Sequence, residues 1–195
     1  MADSESVKSV FASIHEKFGD IDSLINNAAL PPVSGFEDFV SNSNDLRVRE
    51  SYVINCAAPL WCIKYCLNQG ETTGKVIINV LTARALTGHT RHIDYFSSKG
   101  GLYNATISFA HDYPRHRFRS IMSGNIDTGN GGDSPQEMWQ EICRNIFSND
   151  DRPYREIYFM PRRQFYLHLL RYYLRHFFNT KRLSIGRRGR NQSPR

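Results

Sequence analysis

No run of apolar residues in this chain approaches the roughly 20 needed to span a bilayer, and the stretch from Met1 to Phe18 is amphipathic and carries acids, unlike a secretory leader. Both absences point to a cytoplasmic protein with no membrane partner. Cysteine is scarce as well. Of the four, Cys56, Cys62 and Cys66 fall along one expected helix and Cys143 stands apart, and no histidine or second cysteine pair arrives at a zinc-like spacing. Buried thiols are therefore the expectation, with no metal. The seven histidines, His111 and His116 among them, form no ligand set.

Acidic residues are missing from one part of the chain only. Residues 151–195 hold 12 Lys and Arg against Asp151 and Glu156, so the net +6 arises in this tail, while residues 1–150 carry 13 basic and 17 acidic groups. The tail segment RRQFYLHLLRYYLRHFF interleaves arginine with aromatics, as surfaces that hold phosphates and stack bases do. Yet Phe165, Leu169, Tyr172 and His176 share one helical stripe, so packing against the sheet or a symmetric partner is the expected use. Nucleic acid is not an expected partner.

With 195 residues, 40% of them hydrophobic, the chain is long enough to bury one core. Val7, Val10, Phe11, Ile14 and Phe18 recur at helical spacing up to Gly19. In IDSLINNAAL the short apolar run from Ile21 to Ile25 reads as a buried strand that delivers Asn26 and Asn27 to its carboxyl end. Residues 45 to 68 read as a long helix with Pro59 as a kink, and KVIINVL, from Lys75 to Leu81, is the clearest strand. A helix from about Tyr95 to Ala110, a strand from Phe118 to Met122, a glycine-rich loop from Gly124 to Gly132 and a helix from Pro135 to Phe147 follow. After a polar break at Asn149 to Pro153 come a helix near Arg162 to Phe178 and a weak strand around Leu183 to Ile185. Strands alternating with helices imply an α/β fold with a parallel sheet, whose ligand crevice lies beyond the carboxyl ends of the strands.

Tyr95 and Lys99 stand one helical turn apart in DYFSSKGGL and so share one face. A cation beside a phenol favours the phenolate, so the spacing predicts a lowered tyrosine pKa. On its own such a pair is commonly a solvated face, Asn55 a polar group beside the Pro59 kink, and Thr82 an ordinary hydroxyl at a strand end. Their order along the chain gives them a joint meaning. Asn26-Asn27-Ala28-Ala29 closes one strand, Asn55 lies in the long helix, Thr82 follows the next strand and precedes Tyr95 by thirteen residues, and SGNIDT runs from Ser123 to Thr128.

In these elements the chain resembles the short-chain dehydrogenase/reductase family over about residues 1 to 130. The resemblance implies a Rossmann-like, doubly wound parallel sheet. It implies a hydride transfer between a nicotinamide cofactor, NADP or NAD with NADPH favoured, and a small carbonyl or pteridine-type C=N substrate. By the same resemblance Tyr95 is the acid/base, Lys99 supports it and holds the nicotinamide ribose, Thr82 hydrogen-bonds the reacting oxygen, and Asn55 positions a relay water. Asn26, Asn27, Ala28, Ile126 and Thr128 line the cofactor together with Tyr95 and Lys99. The stretch GHTRHIDYFSSKGGL with INCAAPL looks nearest to the dihydromonapterin and pteridine reductases, although that branch carries Asp where Thr82 stands.

The chain also departs from the family. No glycine-rich strand-turn-helix of the kind that holds a pyrophosphate precedes the first helix, so the sheet is expected to lack its first three strands. On that reading residues 1–150 are the C-terminal part of the dinucleotide domain, and 151–195 its degenerate basic, aromatic end. The strand at Ile21 to Asn26 then becomes an exposed edge, with poor solubility unless another chain, as in a homo-oligomer, covers it. Ser123 stands where the family has proline and Arg119 where it has asparagine. A catalytically inactive truncated remnant, or an interaction module, is the alternative to a working enzyme.

Overall fold

In the computed structural model the residues described are 3–32, 45–70, 74–87, 92–124, 134–159 and 170. Two compact units are present, Met1–Phe159 and Met160–Arg195, and the account below concerns the first. Helix α1 (Ser4–Phe18) starts where Asp3 accepts hydrogen bonds from the Ser6 amide and hydroxyl, and stops at Gly19, whose positive φ of 82° favours glycine. Strand β1 (Ser23–Asn26) follows. The long helix expected over 45–68 is broken into α2 (Asp45–Tyr52), a π-helical turn (Val53–Ala57) and α3 (Ala58–Leu67). Then come β2 (Val76–Thr82), a single helical turn α4 (Arg84–Thr87), α5 (Ile93–Asp112), β3 (Arg117–Ser123), α6 (Pro135–Ile146) and β4 (Tyr154–Phe159).

The four strands pair in parallel in the order β1-β2-β3-β4, so the α/β fold and the parallel sheet expected from the sequence are present. Strand β2 is central and all seven of its residues are buried, which is why it reads as an unbroken apolar run. Its alternation feeds both faces of the sheet. Val76, Ile78 and Val80 pack with Ile121, Ile157 and Ile142 of α6, whereas Ile77 packs with Phe118, Ile63 of α3 and Ala110 of α5. Cys62 and Cys66 lie buried against Val7 and Phe11 of α1. Among the described residues strand β1 pairs with β2 alone.

Strand β4 was not anticipated from the sequence. In YREIYF the apolar Ile157 is buried, and the polar positions around it find partners nearby. Glu156 accepts hydrogen bonds from the hydroxyls of Tyr103 on α5 (2.6 Å), Tyr154 (3.3 Å) and Tyr158. The helix expected at 162–178, the strand at 183–185 and most of the glycine-rich loop at 124–132 lie outside the described residues.

Arg119 is fully buried. Its guanidinium donates to the carbonyls of Phe118 (3.0 Å), Arg152 (2.8 Å) and Asp150 (2.7 Å), and so holds the segment that leads into β4. The Asp150 carboxylate, bonded by Arg152 and Arg155 and 3.9 Å from Arg119, is held below the usual carboxylate range, chiefly by the Arg152 hydrogen bonds. Loss of a buried side chain together with three charge-assisted hydrogen bonds costs more than one neutral bond. Arg119→Ala is expected to lower the stability of the unit by about 3 kcal/mol, read from the urea midpoint at constant slope; an unchanged midpoint contradicts the clamp.

Candidate active site

Pro59 has no N–H to offer the carbonyl four residues back, that of Asn55, and its ring crowds the same carbonyl. The helix responds with a π turn in which the Ala58 amide donates to Val53 O. Asn55 sits in this turn with no exposed surface. Its Oδ1 accepts from the Leu30 amide (2.7 Å), and its Nδ2 donates to Leu30 O (3.2 Å) and to Ser98 Oγ (3.2 Å). One side-chain amide thus joins the loop after β1 to helix α5. Ser98 Oγ in turn donates to the carbonyl of Tyr95 (2.9 Å).

On α5, Lys99 is buried, and its Nζ donates to Val80 O (2.9 Å), two residues before Thr82 at the carboxyl end of β2. Thr82 is buried, its Oγ1 accepts a long bond from the Arg84 amide (3.4 Å), and it lies in register with Ser123 of β3. Tyr95 is half-buried, with its ring edge-on to Phe96 at 5.3 Å, and no hydrogen bond joins its hydroxyl to another described residue. Helix α5 also approaches the π turn closely, since a Cβ at Gly101 would stand 3.1 Å from Cys56 Sγ.

Two expectations need correction. Burial raises the Tyr95 phenol above its ordinary value, where the spacing predicted a Lys99-driven fall. Sharing a helix face sets proximity along the axis, but the ammonium is turned to Val80 O and the phenol loses water, so desolvation wins. Asn26 does not present its side chain to the crevice. It is buried, and its Nδ2 donates to Asn79 Oδ1 (2.7 Å), whose own Nδ2 donates to Thr106 Oγ1 (2.8 Å), so it straps β1 to β2 and α5.

Asn27 and Ala28 are exposed at the carboxyl end of β1, whereas Ile126 and Thr128 lie outside the described residues. The structure therefore sets Lys99 against β2 two residues before Thr82, and ties Asn55 through Ser98 to the backbone of the α5 turn that carries Tyr95. A further pair had gone unnoticed, Ser51 Oγ donating to Asp94 Oδ2 (2.7 Å), both buried. Its signal lay in the matched four-residue spacing of Ser51 to Asn55 and Asp94 to Ser98.

The family model of the short chain dehydrogenases matches residues 1–139. The chain belongs to the short-chain dehydrogenase family. An uncharacterized oxidoreductase of Thermotoga maritima is 33% identical over 131 residues, 66% of this chain and 50% of that protein. A 2,5-dichloro-2,5-cyclohexadiene-1,4-diol dehydrogenase of Sphingobium indicum is 30% identical over 133 residues, 66% of this chain and 52% of that protein. The chain spans about half the length of these curated relatives. Among solved structures, an alcohol dehydrogenase from Thermococcus sibiricus complexed with 5-hydroxy-NADP superimposes with a TM-score of 0.68 at 21% identity, covering 80% of this chain and 70% of that one. The landomycin C-6 ketoreductase LanV, with bound NADP and rabelomycin, gives 0.67 at 18%, covering 78% and 66%. Both likenesses confirm the Rossmann-like fold of the chain.

Burial pushes Lys99 down from 10.5 to about 8, against a smaller upward pull from the Cys56 thiol. Between these values the unfolded chain binds more protons than the folded one, so this lysine makes the fold gain stability as pH rises through the window. The unfolding free energy of the wild type relative to Lys99→Met is expected to increase between pH 8 and 10.5. A difference that stays flat across chemical denaturation at these pH values removes the assigned burial cost.

Proposed function

We propose that this short-chain dehydrogenase catalyses hydride transfer between NADPH or NADH and a small carbonyl or pteridine-type C=N compound, with Tyr95 as the acid/base. The observation that carries this reading is the Lys99 bond to Val80 O, which seats the Tyr95-bearing turn of α5 against the carboxyl end of β2, beside Thr82. In such a sheet that end faces the ligand crevice.

The donor set fits a nicotinamide ribose. An ammonium has three N–H donors, and Lys99 gives one to Val80, which leaves two for a pair of ribose hydroxyls. Asn27 and Ala28, exposed at the end of β1, offer backbone and amide groups to the same ligand, and the family resemblance adds Ile126 and Thr128, outside the described residues. When bound, the cofactor supplies the hydride. The chain's own task is to hold the reacting oxygen or nitrogen and to move one proton. The Thr82 hydroxyl orients that atom, and Tyr95 delivers the proton.

Burial raises the Tyr95 phenol, so it enters the proposed reaction protonated and hands its proton over as negative charge builds on the reacting atom. Asn55 enters as a positioning residue, since its side-chain amide is already committed to Leu30 and Ser98. The relatives named as dehydrogenases and the neighbours solved with NADP or 5-hydroxy-NADP support this class of reaction.

Tyr95→Phe is expected to lower kcat/KM by about 10²- to 10⁴-fold on whichever ketone or dihydropteridine of a substrate panel the wild type reduces. NADPH affinity, followed by its fluorescence, is expected to stay close to that of the wild type. Equal turnover by the variant overturns the assignment of Tyr95.

A further inference from the structure

We infer that Ser51 and Asp94 form a positioning pair that fixes the first turn of α5, and with it the Tyr95 phenol, to α2. The catalytic part of this inference rests on the proposed function; the structural part stands without it.

Helix α5 begins in an unusual way. Its N-cap, His92, is a non-glycine residue in the left-handed region (φ 56°, ψ 50°), and its side chain makes no capping hydrogen bond. Backbone strain of this kind persists only where neighbours over-determine it. The customary device for anchoring a helix start, a side chain accepting from the N2 or N3 amide, is absent there. Tyr95 lies in the turn that this cap should have fixed.

The tie comes instead from another helix. Ser51 Oγ, with no exposed surface, donates to Asp94 Oδ2 at 2.7 Å, and Asp94 is 3% exposed. Asp94 is the acidic residue of the first turn, where the helix dipole stabilises a carboxylate. One turn further on, Asn55 Nδ2 donates to Ser98 Oγ at 3.2 Å. Ser51 to Asn55 and Asp94 to Ser98 are both steps of four, so the bonds are two rungs between helices that run in the same sense. The lower rung, Asn55 to Ser98, leads to the Tyr95 carbonyl through Ser98. The upper rung holds the residue immediately before Tyr95. Together they bracket the phenol-bearing residue, and a hydroxyl-to-carboxylate bond is the stronger of the two kinds.

The test uses the full chain with tyrosine labelled by ¹³C at Cζ, the Tyr95 resonance being assigned by its loss in Tyr95→Phe. Ser51→Ala removes the upper donor and is expected to shift or broaden the Tyr95 signal while those of Tyr65 and Tyr154 stay in place. Asp94→Asn keeps an acceptor of equal size and is expected to leave the Tyr95 signal near its wild-type position. Where the wild type reduces a substrate, Ser51→Ala is expected to lower kcat by about tenfold to a hundredfold with KM unchanged, the signature of a misplaced reacting group.

A Tyr95 resonance unmoved by Ser51→Ala overturns the positioning pair, whether or not the chain turns over. A moved resonance in a chain without turnover upholds the tie and overturns the proposed function instead. Equal displacement of all tyrosine signals, or loss of the Tyr95 position in Asp94→Asn, also overturns the pair, because the bond is then not what holds the turn.

Discussion

A proline cannot give an N–H to the carbonyl four residues before it, and the arrangement around Tyr95 depends on what the chain does with that constraint. At Pro59 the regular ladder fails, and the backbone takes a π turn over Val53–Ala57. The extra residue rotates Asn55 inward, where an unpaired amide would cost on the order of 1–3 kcal/mol. Leu30 and Ser98 supply the partners. The kink is therefore the place where the loop after β1, the α2–α3 helix and α5 are held to one another, and Lys99 then carries α5 onto β2.

Once these elements are joined, the electrostatics of the face are set by depth more than by neighbouring charge. A lysine and a tyrosine one turn apart suggest attraction between ammonium and phenolate. In the folded chain both groups are pushed toward their neutral forms, the lysine to about 8 and the phenol upward, and burial is the first cause in each case. Cys56, half-buried beside the same face, follows the same rule, its thiol raised by burial and only partly drawn back by Lys99. A phenol that stays protonated is a proton donor, and a lysine with unspent N–H groups is a donor to hydroxyls. The face is thus built to give hydrogen bonds.

Much of this fold was legible because its core strands are of the simplest kind. The run VIINVL is buried on both faces, and no other reading of six such residues between Gly74 and a polar segment competes. Strand β4 was not legible, since at the sheet edge its polar residues find partners in Tyr103, Ser120 and Asp150 that only the folded chain brings near. The same limit applies at the site. Tyr95, Lys99, Thr82 and Asn55 were singled out by their order along the chain and the family it resembles, whereas the bond that ties the Asn26 side chain to Asn79 depends on the register of β1 on β2. Ser51 and Asp94 are ordinary residues in isolation, and only their steps of four, matched across two helices, hint at a pair. The direction of the Tyr95 shift could not be read either, because a helix face in sequence carries no information about how deeply it lies.

The two ends of the sheet use their polar groups differently, and this supports placing the proposed chemistry at one of them. At the amino end Lys75 Nζ is given to Ile21 O, Gln69 joins Phe11 O to the Ile21 amide, Arg117 holds the carbonyls of Ser148 and Ile146, and Arg119 holds three more. These side chains give their bonds to the chain's own backbone, and the bonds brace the loops at that end. At the carboxyl end Asn27 and Ala28 are open to solvent, the Tyr95 hydroxyl has no bond to a described residue, and Lys99 has donors in reserve. A parallel sheet invites this division, since its helices begin beyond the carboxyl ends of the strands and turn their amides toward that side. Bracing at one end and solvent-open groups at the other are the physical grounds for placing the proposed site at the carboxyl end.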